Sequence, residues 1–150
     1  MNQVLQGIDG VRTGVHICRG NWSRKEEVLL SGDYARLLPA LEAMQVDQLV
    51  LEYATPRAGD IAVVGEMLAR DPRKQLGLGV VNPRTDEPES VEQIVALAAL
   101  ALEYLPPERI FLNPDCGFAC FASRGVNSEE VAALKLQQIA RAAAELRRVY

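Results

Sequence analysis

Gln48-Leu49-Val50-Leu51-Glu52 is an almost continuous apolar run that closes on a carboxylate. A strand with one wet face alternates apolar and polar residues, whereas a run of this kind predicts a strand buried on both faces, as in a parallel sheet. Thr55-Pro56-Arg57-Ala58-Gly59 breaks it, and Asp60 is placed to cap a helix carrying Ile61, Val64, Met67 and Leu68 at helical spacing. Asp71-Pro72-Arg73 ends that helix. Strand followed by helix is the unit from which the rest of the chain is read.

The unit recurs in both directions. Downstream, Leu76 to Val81 predicts a strand ending at Asn82-Pro83-Arg84, and Ser90 caps a helix from Val91 through Tyr104 that Pro106-Pro107 stops. Arg109 to Leu112 predicts the next strand. After it, Asn113-Pro114-Asp115-Cys116-Gly117 forms a turn, a loop runs to Val126, and Asn127 or Ser128 caps a last helix reaching about Arg148. Upstream, Arg12 to Cys18 predicts a short strand closed by Arg19-Gly20-Asn21. The polar stretch from Trp22 to Gly32 is a loop, and Asp33 is the N-cap of a helix through about Met44 that carries Leu37, Leu38 and Leu41. Met1 to Gly7 reads as the tail of a helix. Four strand-then-helix units of about 30 residues each, with strands too apolar to have one wet face, define an α/β chain with a parallel sheet.

A chain of 150 residues, 49% of them hydrophobic, suits a single domain over residues 1–150 with a buried core. No apolar run approaches the roughly 20 residues of a membrane-spanning helix, and Met1-Asn2-Gln3-Val4 lacks the layout of a signal peptide, so a cytoplasmic location is expected and no membrane partner. A net charge of −4 with dispersed basic residues argues against nucleic acid, which is held by clustered Lys and Arg. Three cysteines, Cys18, Cys116 and Cys120, point to metal binding or buried thiols rather than to a disulfide framework.

In parallel sheets, reactive groups collect where strands end and loops begin. The first strand ends with the only histidine, His16, two residues before Cys18, so imidazole and thiolate leave the same face. The second ends with Glu52, and Cys116 follows the fourth. One imidazole, two thiolates and a carboxylate on one rim suit Zn²⁺, and thiolates argue against magnesium or calcium. Taken separately, His16 and Cys18 read as core residues; taken with Glu52 and Cys116 they read as metal ligands. Cys120 reads as a small core hydrophobe, with a reserve place as ligand. Arg19, Arg57 and Arg84 each follow a strand and are placed to clamp a substrate carboxylate, although solvated loop arginines fit the same pattern. Asn21 and Asp115 are placed to hydrogen-bond a ligand of the metal or a substrate, and turn geometry accounts for both equally. Trp22 packs over the site or anchors its loop.

His16-Ile17-Cys18-Arg19-Gly20-Asn21, then Leu49-Val50-Leu51-Glu52-Tyr53, then Leu112-Asn113-Pro114-Asp115-Cys116-Gly117-Phe118, in this order and at about these separations, resemble the C-terminal catalytic region of cobalamin-independent methionine synthase. The resemblance runs over essentially the whole chain. It implies the same zinc ligands that the strand ends suggest, His16, Cys18, Glu52 and Cys116, and transfer of a methyl group from 5-methyltetrahydrofolate, in its polyglutamate form, to the thiol of homocysteine.

Three differences from that family bear on the expectation. Where the family carries a catalytic histidine in a His-Ser-Pro-Arg-like context, this chain has Val81-Asn82-Pro83-Arg84, which leaves the proton-shuttling role without a residue. Arg19-Gly20-Asn21 resembles the family's short relatives, a group that shades into zinc enzymes alkylating other thiols, such as epoxyalkane:coenzyme M transferase. The family's catalytic domain is a TIM (β/α)8 barrel, which takes about 250 residues, and this chain supplies about four of the βα units, the C-terminal half-barrel. Open edges and an apolar inner face then imply pairing with a second half-barrel chain or self-association. A non-catalytic zinc-binding remnant or subunit is the remaining alternative.

Overall fold

The computed structural model describes residues 2–150, the side chains of Glu26 and Cys120 excepted. Four parallel strands, β1 (Gly14–Ile17), β2 (Gln48–Glu52), β3 (Gln75–Val81) and β4 (Ile110–Pro114), lie side by side in chain order. Helices α1 (Leu38–Ala43), α2 (Ala62–Arg70) and α3 (Val91–Leu102) make the crossovers, and α4 (Glu129–Val149) follows the last of these strands. An order without reversal is that of a barrel wall; a doubly wound sheet changes direction partway. The architecture is therefore α/β of the TIM (β/α)8-barrel type, present as four βα units.

Register separates the two faces of the sheet. His16 pairs with Val50, Val50 with Gly77 and Gly77 with Phe111, which places these four in one row on one face. Leu49, Leu51, Leu76 and Leu78 alternate to the other face, where they are fully buried. With Leu41, Val64, Leu68, Ile94, Ala98 and Ile139 they form the core between sheet and helices. Each such leucine contributes about 1.5–3 kcal/mol relative to an exposed one. The expectation of strands buried on both faces holds for β3, all but whose first residue is buried, is met in part by β2, where Val50 is only half-buried, and fails at the sheet edges. His16 and Phe111 are exposed, because only the curl of the sheet covers their face. That curl brings the Arg12 guanidinium to 5.1 Å from the centre of the Phe111 ring, edge to edge across the concave side.

Local chemistry sets the helix ends. The Asp60 carboxylate accepts the Ala62 N–H at 2.8 Å, Ser90 and Gln93 cap α3 reciprocally, and Ser128 accepts the Val131 N–H at the start of α4. Arg109 collects the carbonyls of Leu68, Asp71 and Lys74, which closes the C-terminal end of α2. The helix expected from Asp33 to Met44 is instead a 3₁₀ turn, Ala35–Leu37, followed by the six residues of α1. Pro39 stands in the first turn of α1, where its missing N–H cannot continue an earlier helix.

Two further expectations are corrected. The expected helix tail at residues 1–7 is a single 3₁₀ turn, Asn2–Leu5, and Met1 lies outside the described residues. The Asn2 side chain ties that turn to the Ala43 carbonyl at 2.8 Å and the Gln45 N–H at 2.9 Å. The loop expected after β4 contains an antiparallel hairpin, β5 (Ala119–Phe121) and β6 (Arg124–Gly125).

Candidate metal centre

Cys18 lies one residue beyond β1, on the face that carries His16. The His16 ring is oriented by its own backbone neighbour: Nδ1 lies 3.2 Å from the Val50 carbonyl oxygen, which can only accept, so Nδ1 carries the proton and the Nε2 lone pair points away. Nε2 lies 3.8 Å from Glu52 Oε1. The Gly20 N–H points at Cys18 Sγ at 3.3 Å. Gly20 has φ +100°, in the left-handed region that favours glycine, and this lets Arg19-Gly20-Asn21 fold back on the sulfur.

Cys116 arrives from the turn after β4. Its Sγ lies 3.9 Å from Cys18 Sγ, far beyond the roughly 2.05 Å of a disulfide between the two. The donor atoms of His16, Cys18 and Cys116 all lie within 4.8 Å of one another. Glu52 stands beside this group rather than within that mutual distance. Its carboxylate is buried; Oε1 accepts the Arg19 backbone N–H at 2.9 Å and Asn21 Nδ2 at 2.7 Å. Oε2 is buried with no hydrogen-bond partner among the described residues, an arrangement that costs free energy unless a cation faces it.

Asp115 is buried. Its Oδ1 accepts the backbone N–H groups of Tyr53 and Ala54, both at 3.0 Å, and so ties the turn after β4 to the end of β2. Burial pushes its carboxyl up to about 7, against the pull of the Ala54 N–H and with a push from the charge of Glu52. Gly79 makes room for it: a Cβ there would lie 2.2 Å from Asp115 Oδ1.

The arginines expected at the rim are used within the protein fabric. Arg19 is buried, stacks over the Tyr34 ring at 4.3 Å and donates to the carbonyls of Gly32 and Arg57. Arg84 is buried with its Nε 3.1 Å from Asn21 Oδ1, and Arg57 reaches Thr55 Oγ1 at 3.3 Å within its own loop. Asn82 turns its side-chain oxygen to the Arg84 N–H at 3.0 Å. Trp22 is exposed and lines a shallow depression with Arg24, Arg124 and Val126. The side chain of Cys120, weighed above as core residue or reserve ligand, lies outside the described residues.

Tyr34 went unread in the sequence although it fixes the site. Its hydroxyl, almost fully buried, accepts the Glu52 N–H at 2.9 Å and the Arg19 Nε–H at 3.3 Å, so it holds the strand end that presents Glu52. An aromatic residue just before a helix carries no local signal for that role. Gly79 did carry one, a glycine inside an apolar strand, which marks close approach of another group.

An unreversed parallel sheet whose strand ends gather imidazole, thiols and a buried carboxylate defines a protein of the (β/α)8-barrel class with a candidate metal centre at the C-terminal rim. Comparison with known proteins narrows the class: residues 26–145 match the family described as cobalamin-independent synthase, catalytic domain, and the chain belongs to that family. Similar relatives include a methionine synthase of Pyrococcus horikoshii, 32% identical over 117 residues (78% of this chain, 30% of the relative), and one of Pyrococcus abyssi, 30% identical over 141 residues (94% and 37%). The chain thus spans about a third of the length of the curated relatives it matches. Among solved structures, a B12-independent methionine synthase from Shewanella sp. W3-18-1, in complex with selenomethionine, superposes with a TM-score of 0.76 at 22% identity, covering 99% of this chain and 41% of that one. That likeness is one of fold. Among the described residues no helix is long and apolar enough to cross a membrane.

Proposed function

We propose that this chain is the metal-bearing half of a zinc-dependent methyltransferase that moves a methyl group from 5-methyltetrahydrofolate, in its polyglutamate form, to the thiol of homocysteine in methionine biosynthesis. The observation that carries the reading is the donor set. His16 Nε2 and the sulfurs of Cys18 and Cys116 converge, and the buried carboxylate of Glu52, one of whose oxygens has no partner among the described residues, stands with Oε1 3.8 Å from His16 Nε2. The 3.9 Å between the sulfurs is close to the separation of about 3.8 Å expected of two thiolates on one tetrahedral ion with bonds of about 2.3 Å.

Zinc, when bound, supplies a Lewis acid that keeps a substrate thiol as thiolate at neutral pH. The chain's own residues prepare that chemistry. Val50 fixes the imidazole tautomer, the Gly20 N–H steadies the Cys18 sulfur, and Tyr34 holds the strand end of Glu52. Glu52 is the ligand best suited to yield a place to the substrate, since a carboxylate is the hardest donor beside two thiolates. The exposed concave face and the outer edges of β1 and β4 are to be covered by a second half-barrel chain or a second copy, which brings the methylfolate surface and the groups that hold homocysteine.

Zinc-edge X-ray absorption with and without homocysteine tests the reading. A rise in sulfur ligation supports catalysis, and an unchanged shell supports a non-catalytic zinc module. Arg19-Gly20-Asn21 favours a second reading, alkyl transfer to another thiol of the coenzyme M kind; a thiol-competition assay in the presence of a front-half polypeptide separates the two.

A further inference from the structure

Glu52 has two carboxylate oxygens in unlike surroundings: Oε1 accepts two hydrogen bonds and Oε2 none among the described residues. One of the two donors to Oε1 is a backbone N–H and cannot turn away. The other is the amide of Asn21, which presents either NH₂ or oxygen depending on a half-turn about its terminal bond. What settles the half-turn is Arg84. A guanidinium has donors only, so the Asn21 atom 3.1 Å from Arg84 Nε is the oxygen, and the NH₂ is left facing Glu52 at 2.7 Å.

Arg84 is itself held from behind. Its backbone N–H donates to Asn82 Oδ1 at 3.0 Å, and the Asn82 N–H donates to Glu89 Oε1 at 2.8 Å. Glu89 Oε2 accepts from Lys135 Nζ on α4 at 3.1 Å. Lys135, Arg84, Asn21 and Glu52 are between 0% and 3% exposed, so the path runs through the interior rather than over the surface. Buried polar groups in such a path hold each other's orientation, because every misdirected dipole loses a partner that water cannot replace.

We propose that Arg84 and Asn21 are positioning residues: by fixing the Asn21 amide they hold the buried Glu52 carboxylate in its orientation beside His16, whose Nε2 lies 3.8 Å from Oε1. This rests on the metal-site reading above. It also gives Arg84 a role other than clamping a substrate carboxylate, a task for which its buried guanidinium is poorly placed. With Arg84 gone the Asn21 oxygen loses that donor; an amide that turns its oxygen on Oε1 sets two acceptors against each other, and the carboxylate shifts out of alignment. Loss of such an outer partner costs roughly 10–100-fold in metal affinity.

The test measures zinc affinity by competition with a chromophoric chelator, and the absorption spectrum of the Co²⁺-substituted protein, on the full chain and its Arg84→Met, Asn21→Asp and Glu52→Ala variants. Arg84→Met and the nearly isosteric Asn21→Asp are each expected to bind zinc about 10–100-fold more weakly and to shift the cobalt spectrum. Arg84→Met added to Glu52→Ala is expected to cost nothing more, since it acts through Glu52. Unchanged affinity and spectrum in both single variants, or a full additional loss in the double variant, overturns the inference while leaving the metal site standing. A wild-type chain that binds neither ion overturns the metal reading itself.

Discussion

His16 Nε2 and Glu52 Oε1 stand 3.8 Å apart at the ends of neighbouring parallel strands, although His16 pairs in register with Val50, two residues before Glu52. The gap is longer than a hydrogen bond, and the histidine's other nitrogen is occupied by the Val50 carbonyl. Two donors are thus aimed at shared space from adjacent strands. His16→Ala and Cys116→Ala are expected to lose zinc, and Cys120→Ala to keep it. Metal per chain, measured by atomic absorption, checks this; equal zinc in all three removes the ligand assignment.

Gly79 is a packing requirement. A methyl group there would lie 2.2 Å from Asp115 Oδ1 and 2.8 Å from the Leu51 carbonyl, both in rigid surroundings. Gly79→Ala is expected to destabilise the fold by about 1–3 kcal/mol, the range for overpacking a filled interior. Urea denaturation followed by circular dichroism reads the change.

Lys135 is fully buried, and its ammonium reaches Glu89 Oε2 at 3.1 Å and the Glu87 carbonyl at 2.7 Å. Lys135→Met leaves Glu89 without its cation and is expected to cost about 3 kcal/mol. Adding Glu89→Gln is expected to recover part of that loss, because the stranded charge goes with it. A double-mutant cycle in chemical denaturation supplies the comparison.

Asp71 is one of the carboxylates that contribute to the acid dependence of stability. Hydrogen bonds from the Arg73 side chain and backbone, with help from the charges of Arg73 and Lys74, hold its carboxyl down at about 2. A carboxyl depressed in the folded state stabilises at pH values above its unfolded pKa of about 3.9, and that contribution disappears as pH falls through the folded value. Asp71→Asn is therefore expected to lower the melting temperature at pH 6, with the two proteins converging as pH falls through about 4 to 2. Parallel curves over that range would show that Asp71 acts only through the shape of its turn.

The parts of the molecule legible in the sequence were those with a local signature. Leu49-Val50-Leu51 could be read as a buried strand because nothing polar interrupts it, and Asp60, Ser90 and Ser128 announced helices that do start beside them. The rim positions of His16, Glu52 and Cys116 followed from the rule that parallel strands deliver polar groups at their C-terminal ends. What escaped was directional. Nothing in Asn82-Pro83-Arg84 says that the guanidinium turns inward to an amide 63 residues away, and nothing near Tyr34 foretells a hydroxyl under the end of β2. The hairpin 119–125 was missed because its strands are too short to show a period.

The two sulfurs that meet at 3.9 Å are 98 residues apart in sequence, and three crossovers separate them. Closing so long a segment is an entropic cost met only when the intervening strands are already docked. A growing chain can therefore offer a metal at most His16, Cys18 and Glu52 until the turn after β4 has been synthesised and folded back. On the proposed metal reading, capture of an ion is a timer: both thiolates can hold it only once the last strand has found its place.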